Sequence, residues 1–345
     1  MANTKRAVVV ITGCSNGGIG SYLGKQFVLQ GCTTYATARN LSSTSDAEAW
    51  GCMTLQLDVN DKDSVQEAIQ HVLKNEGRID YLINNAGIGS MGPLIELDLN
   101  LVSKVMDTNL LGPLRVIQAV APHMIKRRMG TVVNVGSIVG DMYEPWTGIY
   151  CSSKAALHSM TNCLRLELSP FNIDVVAVKP GYVESQLFQK TIKFLTESYE
   201  DEGYKESLLQ PASAYKPLEP TFATRMKRTS NVNAYPSDMF AKQVVAWLLS
   251  RRNPSFLKRL FILLSRPFSH VLYLFSMVLY KLGIRYKRKS LSYFYNPSDR
   301  YGRWQQDTEF ILGGYSHFHT LFQYAPRPLL DFYLWSYSGM FQLTS

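Results

Sequence analysis

The chain has 345 residues, 46% of them hydrophobic and 18% charged, which allows one large core with a smaller appendage and excludes a disordered chain. Its five cysteines (Cys14, Cys32, Cys52, Cys151, Cys163) are odd in number and lack C-x-x-C or Cys/His spacing, which argues against a disulfide framework or a metal site. The net charge of +9 suits an anionic cofactor, a membrane surface or nucleic acid.

Residues 1–12 show no secretory pattern and run from Lys5-Arg6 into the apolar Ala7–Thr12, the first predicted strand. Further strands are predicted at 33–37, 53–57, 80–84, 131–135 and 173–179, with helices near 20–30, 63–75, 101–125 and 150–168. Such alternation implies right-handed crossovers and a parallel sheet covered on both faces, a Rossmann-type doubly wound α/β fold. After Pro180, residues 185–235 read as a long, partly helical loop, and Ser237–Ser250 as a helix. A boundary is expected near 252–255, dividing a catalytic domain (1–252) from a helical, aromatic-rich C-terminal appendage (253–345).

The segment Thr12-Gly-Cys-Ser-Asn-Gly-Gly-Ile-Gly20 links the first strand to the first helix. Glycines there let the backbone turn tightly and approach a pyrophosphate, which rests on the unpaired amides of the helix N-terminus. The second strand ends in Ala38-Arg39-Asn40. No carboxylate stands there to hold a ribose 2′-hydroxyl, and Arg39 suits a 2′-phosphate, so NADP(H) is favoured over NAD(H). Asp58, after the third strand, has two readings: acceptor for the adenine amino group, or cap of the next helix.

Tyr150 and Lys154 stand four residues apart on one helix face. A cation close to a phenol stabilises the phenolate and lowers its pKa, making it a usable acid near neutral pH. Ser137, at the end of the fifth strand, lies where strand ends converge and suits a substrate carbonyl.

In this order and spacing, Thr12-Gly13, Gly18-Ile19-Gly20, Asp58, Asn84-Asn85-Ala86-Gly87, Asn109, Ser137, Tyr150, Lys154 and Pro180-Gly181 resemble the short-chain dehydrogenase/reductase family. The resemblance implies that Tyr150 donates the proton, and that Lys154 lowers its pKa and binds the nicotinamide ribose. By the same resemblance Ser137 positions the substrate and Asn109 holds a water in the proton relay; a satisfied buried amide is the other reading of Asn109. It further implies cofactor contacts from Thr12, Gly13, Gly18, Ile19, Gly20, Asn85, Pro180, Gly181 and Val183. The extra residue before Gly18, together with Ala36–Arg39 and Asn172–Val176, looks like the fungal and yeast NADPH-dependent 1-acyldihydroxyacetone-phosphate reductases. The last short strand usual in the family is not evident.

Residues 251–290 carry ten Lys or Arg and no acid around the mostly apolar Leu260–Tyr280, which Arg266-Pro267 splits into halves. That pattern favours a membrane surface over nucleic acid, and a hairpin or interfacial helix pair over a single span, with basic flanks toward anionic headgroups. A cover over the substrate pocket or a dimer contact is the alternative. Residues 291–345 give no functional reading.

The chain is thus expected to be an NADP-dependent oxidoreductase that reduces a carbonyl of a lipid-like or apolar substrate, an acylated dihydroxyacetone phosphate by resemblance. A steroid, retinoid or secondary-metabolite ketone is the alternative. Leu187, Phe188, Ile192, Phe194 and Leu195 are expected to line the substrate side. The expected location is the cytosolic face of the endoplasmic reticulum or a lipid droplet, otherwise the cytoplasm, with a homo-oligomer possible in either. Gly13-Cys-Ser15-Asn-Gly17 also matches a nucleophile elbow, so serine lipase chemistry on Ser15 is a minor alternative, and a non-catalytic surface protein a third.

Overall fold

The computed structural model describes residues 6–187, 190–191, 209, 213–220, 234–252, 303–305 and 309–312. Six strands form the parallel body of the sheet: β1 (Val8–Thr12), β2 (Thr33–Ala38), β3 (Met53–Gln56), β4 (Tyr81–Asn84), β5 (Gly130–Val135) and β6 (Ile173–Pro180). They lie in the order β3-β2-β1-β4-β5-β6, so the chain reverses its direction of travel between β1 and β4. At such a reversal the connections leave to opposite sides and open a crevice at the carboxyl ends of the strands.

Period-two alternation explains why the sheet is covered twice. Val9 and Ile11 of β1 face a layer containing Leu23 and Phe27 of α1 (Ile19–Leu29). Val8 and Val10 face Val65, Ile69 and Val72 of α3 (Lys62–Glu76). All five residues of β1 are buried. The short α2 (Ser45–Ala49) follows β2. The predicted helix 101–125 is divided into α4 (Leu99–Met106), a π-helical turn (Asp107–Leu111) and α5 (Gly112–Arg127). After α6 (Gly148–Leu168) and β6, α7 (Ser237–Arg252) returns to the first layer. Asp238 in its first turn accepts hydrogen bonds from Lys25 (3.0 Å) and Gln26 (2.9 Å), clamping α7 to α1.

One sequence expectation is corrected here. The missing last strand exists: β8 (Glu309–Leu312) runs parallel to β6, Leu312 opposite Pro180, and β7 (Arg303–Gln305) pairs antiparallel beside it. Both strands fall within residues 253–345 and extend the sheet beyond β6. The apolar segment 260–280 and its basic flanks beyond Arg252 lie outside the described residues, as do Phe188, Ile192, Phe194 and Leu195. Among the described residues no helix is long and apolar enough to cross a membrane, and no group of side chains could hold a metal ion.

Candidate active site

The glycine loop closes over the carboxyl ends of β1 and β4. Gly13 has φ of 73°, and a Cβ there would lie 2.6 Å from the Ala86 Cα, so the loop and the Asn84–Gly87 turn meet backbone to backbone. A Cβ on Gly20 would come within 2.5 Å of Asn85 Nδ2 and 2.7 Å of the Gly13 oxygen. Gly18 is the N-cap of α1 and offers no side-chain cap, which leaves the first-turn amides for an anion. Thr12 Oγ1 accepts from the amides of Asn85 and Ala86, both at 3.0 Å. Asn85 Nδ2 donates to the oxygens of Thr12 and Gly13, so its side chain braces the loop from behind. This close backbone approach with an uncapped helix start fits the diphosphate of a dinucleotide.

The extra loop residue has its own anchorage. Asn16 donates to Ser45 (2.8 Å) and accepts from the Asp46 amide (3.0 Å), while Asp46 takes the N–H of Gly17 (3.0 Å). Arg39 is exposed just past β2. Asp58 accepts from the Asn60 amide (3.0 Å) in a turn, and the cap of α3 is Asp61, so the capping alternative for Asp58 is set aside. Ile19 is half-buried at the start of α1; Pro180 ends β6, Gly181 follows it, and the buried Val183 bridges Tyr235 ahead of α7.

Beyond that cradle stand the reacting groups. Ser137 caps the turn Ile138–Gly140 at the end of β5, and its hydroxyl hydrogen-bonds the Tyr150 phenol in the first turns of α6. One turn on, the buried Lys154 ammonium donates to the Val135 oxygen at 3.0 Å and lies 5.7 Å from the centre of the Tyr150 ring. Asn109 sits in the π turn between α4 and α5. Its Oδ1 accepts from the Ile88 amide and its Nδ2 donates to the Ile88 oxygen (both 2.9 Å) and to Ser153 (3.0 Å). Both amide hydrogens and one acceptor position are thereby used, so the side chain ties the β4 loop to α6.

Burial governs both ionisable groups. Burial pushes the Tyr150 phenol up to about 12, with the Ser137 hydrogen bond pulling the other way. Burial also brings Lys154 down to about 8. Desolvation dominates both shifts, and the ammonium is hydrogen-bonded to a strand carbonyl. A phenol held protonated is a proton donor in waiting, which suits reduction of a carbonyl.

Sequence reasoning named Asn84 but missed its partners and several other groups. Asn84 donates to Asn134 and Asn134 to Thr161, both at 2.9 Å, a polar chain through the core from β4 to α6. Ser153, the half-buried Asp141 and the buried His158 and Lys179 also support the site. Position 158, four after Lys154 on the same helix face, was the one legible signal. Ser15 meets Ser43 at 3.4 Å, and no histidine contact to it is found among the described residues, so the lipase reading gains nothing.

A phenol, a lysine and a hydroxyl at the carboxyl ends of a doubly wound sheet, beside a dinucleotide cradle, define a nicotinamide-dependent oxidoreductase. The comparisons agree. The family model "short chain dehydrogenase" matches residues 7–195. The short-chain dehydrogenase ptmH of Penicillium ochrochloron is 36% identical over 250 residues, 72% of this chain and 86% of that protein. An NADPH-dependent 1-acyldihydroxyacetone phosphate reductase of Schizosaccharomyces pombe is 42% identical over 191 residues, 55% of this chain and 64% of the relative. Among solved structures, a short-chain dehydrogenase from Streptomyces avermitilis superposes with a TM-score of 0.58 at 25% identity, covering 71% of this chain and 85% of its own. The chain belongs to the short-chain dehydrogenase family.

Proposed function

We propose that this enzyme uses NADPH to reduce the carbonyl of an apolar, lipid-like substrate to an alcohol. The observation that carries the reading is a cavity of about 170 Å³ between the segment leading into Tyr150 and the loop after β4. Pro93, Leu94, Pro145, Trp146 and Tyr215 wall it, with Trp146 and Tyr215 edge to face at 5.2 Å. Leu94, Ile95 and Leu99 are exposed by 60%, 81% and 76% on the same stretch of chain. Aromatic and aliphatic walls favour a hydrocarbon portion of the substrate.

The bound cofactor supplies the hydride. Gly13, Gly18, Gly20 and the start of α1 would hold its diphosphate, Arg39 its 2′-phosphate, and Lys154 its nicotinamide ribose. Ser137 would orient the substrate oxygen, which receives the Tyr150 proton; Asn109 belongs to the relay that refills it. The Schizosaccharomyces pombe relative, NADPH-dependent by name, supports both the cofactor and an acylated dihydroxyacetone phosphate as substrate. Glu144, the charged residue lining the cavity, favours a second reading, an uncharged ketone such as a steroid. The basic, apolar stretch 251–290 supports attachment to the cytosolic face of a membrane or lipid droplet.

A panel of acyl-dihydroxyacetone phosphate, steroid ketones and short water-soluble ketones, followed by NADPH absorbance, tests this reading. Greater kcat/KM for the long or polycyclic substrates is expected. Equal or better turnover of the short ketones would remove the apolar-substrate claim.

A further inference from the structure

We propose that Asp141 and His158 form a positioning pair for Ser137, holding it in place only while the imidazole is neutral. This rests on Ser137 being the group that orients the substrate. The Ser137 N–H points at His158 Nε2 (3.4 Å), and His158 Nδ1 lies 3.0 Å from Asp141 Oδ1. The other Asp141 oxygen is 2.9 Å from the Lys179 ammonium. His158 and Lys179 are 6% and 4% exposed.

The backbone around the serine is shaped to admit this ring. A Cβ on Gly136 would lie 2.1 Å from His158 Nε2, and one on Gly140 would lie 2.5 Å from Cε1. Two glycines flanking Ser137 therefore let the imidazole reach beneath it. Tyr150, Lys154 and His158 follow one another at four-residue intervals, so α6 presents phenol, amine and imidazole on one stripe.

The hydrogen bonds select a tautomer. Nε2 accepts from the Ser137 amide, so the ring proton is on Nδ1 and is donated to Asp141. Lys179 then balances the carboxylate, and the neutral ring completes the set. Protonation would put an N–H on Nε2 against the N–H of Ser137, two donors facing each other, and displace the serine. The charged groups around the ring are Asp141 from the turn after β5, Lys179 from β6 and Lys154 from its own helix. Burial, aided by the two lysines, holds the imidazole below its ordinary value against the pull of Asp141. The ring is thus neutral at neutral pH, and Ser137 is released only on acidification.

Three variants of the full chain and one spectrum test this. H158L should lose about 10- to 100-fold in kcat with NADPH binding unchanged, as expected for a group acting through another. H158Q, which keeps an acceptor but cannot titrate, should recover part of that kcat and lack the acid limb of the wild-type kcat–pH profile. D141N removes the anion that favours the protonated ring, so its acid limb should move to lower pH. Wild-type kcat in H158L, an unchanged acid limb in H158Q, or an upward shift in D141N would overturn the proposal.

The ¹⁵N spectrum of histidine-labelled protein, with His158 assigned by its loss in H158Q, needs no substrate and no unfolding-prone variant other than the assignment control. Protonated Nδ1 and bare Nε2 at neutral pH are expected; the reverse tautomer would overturn the positioning pair. Wild-type protein that reduces no ketone in the panel would instead count against the proposed function, leaving the spectrum to decide this point.

Discussion

Replacing Lys154 with methionine should stabilise the protein while abolishing its activity. The lysine is 4% exposed, and burial brings its ammonium from 10.5 to about 8. The difference, 10.5 minus 8, corresponds to about 3 kcal/mol favouring the neutral amine in the folded state. Because the folded value is the lower one, the unfolded chain binds the extra proton more readily. The destabilisation is therefore full below about pH 8, shrinks as the pH rises, and is gone above 10.5. Methionine fills similar space without a charge but forfeits the hydrogen bond to the Val135 oxygen, worth about 1 kcal/mol. The variant should be more stable by about 2 kcal/mol at pH 7, read as a higher urea midpoint without added NADPH. At pH 9.5 the lysine's disadvantage falls to about 1 kcal/mol, so the two midpoints should nearly coincide. Measurements stay below pH 10 because Tyr150, raised to about 12, adds an opposite trend: its contribution is present below the unfolded value of 10 and lost above it. A variant less stable than wild type at pH 7, or a gap unchanged at pH 9.5, would refute the reasoning.

Arg39→Glu should lower the ratio of kcat/KM for NADPH over NADH by about 10-fold or more, the worth of a charge-assisted contact to phosphate; an unchanged ratio would take Arg39 out of cofactor selection. Trp146→Ala should raise KM for a long or polycyclic ketone by about 10-fold, the scale of losing one aromatic wall, and leave a short ketone unaffected. Gly13→Ala forces a side chain into φ of 73° and against the Ala86 backbone, so weaker NADPH binding by fluorescence titration and a lower thermal midpoint are expected together.

The parallel body of the sheet was legible because its strands are short apolar runs, and each observed strand lies within one residue of its expected bounds. Strong apolar periodicity also located α1, α3 and α6. A pattern built on 3.6 residues does not reveal a π turn, so the break at Asp107–Leu111, which places Asn109 between two helices, read as uninterrupted helix. β7 and β8 are three and four residues long, in an aromatic-rich stretch without alternation, and only the pairing of β8 with β6 and of β7 with β8 makes them strands. Site residues on regular elements were found by spacing: Tyr150 and Lys154 by a helical turn, Ser137 by a strand end. Asp141 and Lys179 come to His158 from separate elements, a meeting no local spacing encodes. The burial of Tyr150 and Lys154 escaped for the same reason, since it is a property of the whole fold.

The central claim is that the Tyr150 phenol delivers the proton as hydride reaches the substrate carbonyl. Single-turnover oxidation of NADPH by Tyr150→Phe, with NADPH affinity measured on the same sample, tests it most directly. The expected result is a loss of about 100- to 10,000-fold in rate with affinity intact, the range for removing a general acid. Turnover at the wild-type rate in a variant that still binds NADPH would contradict it.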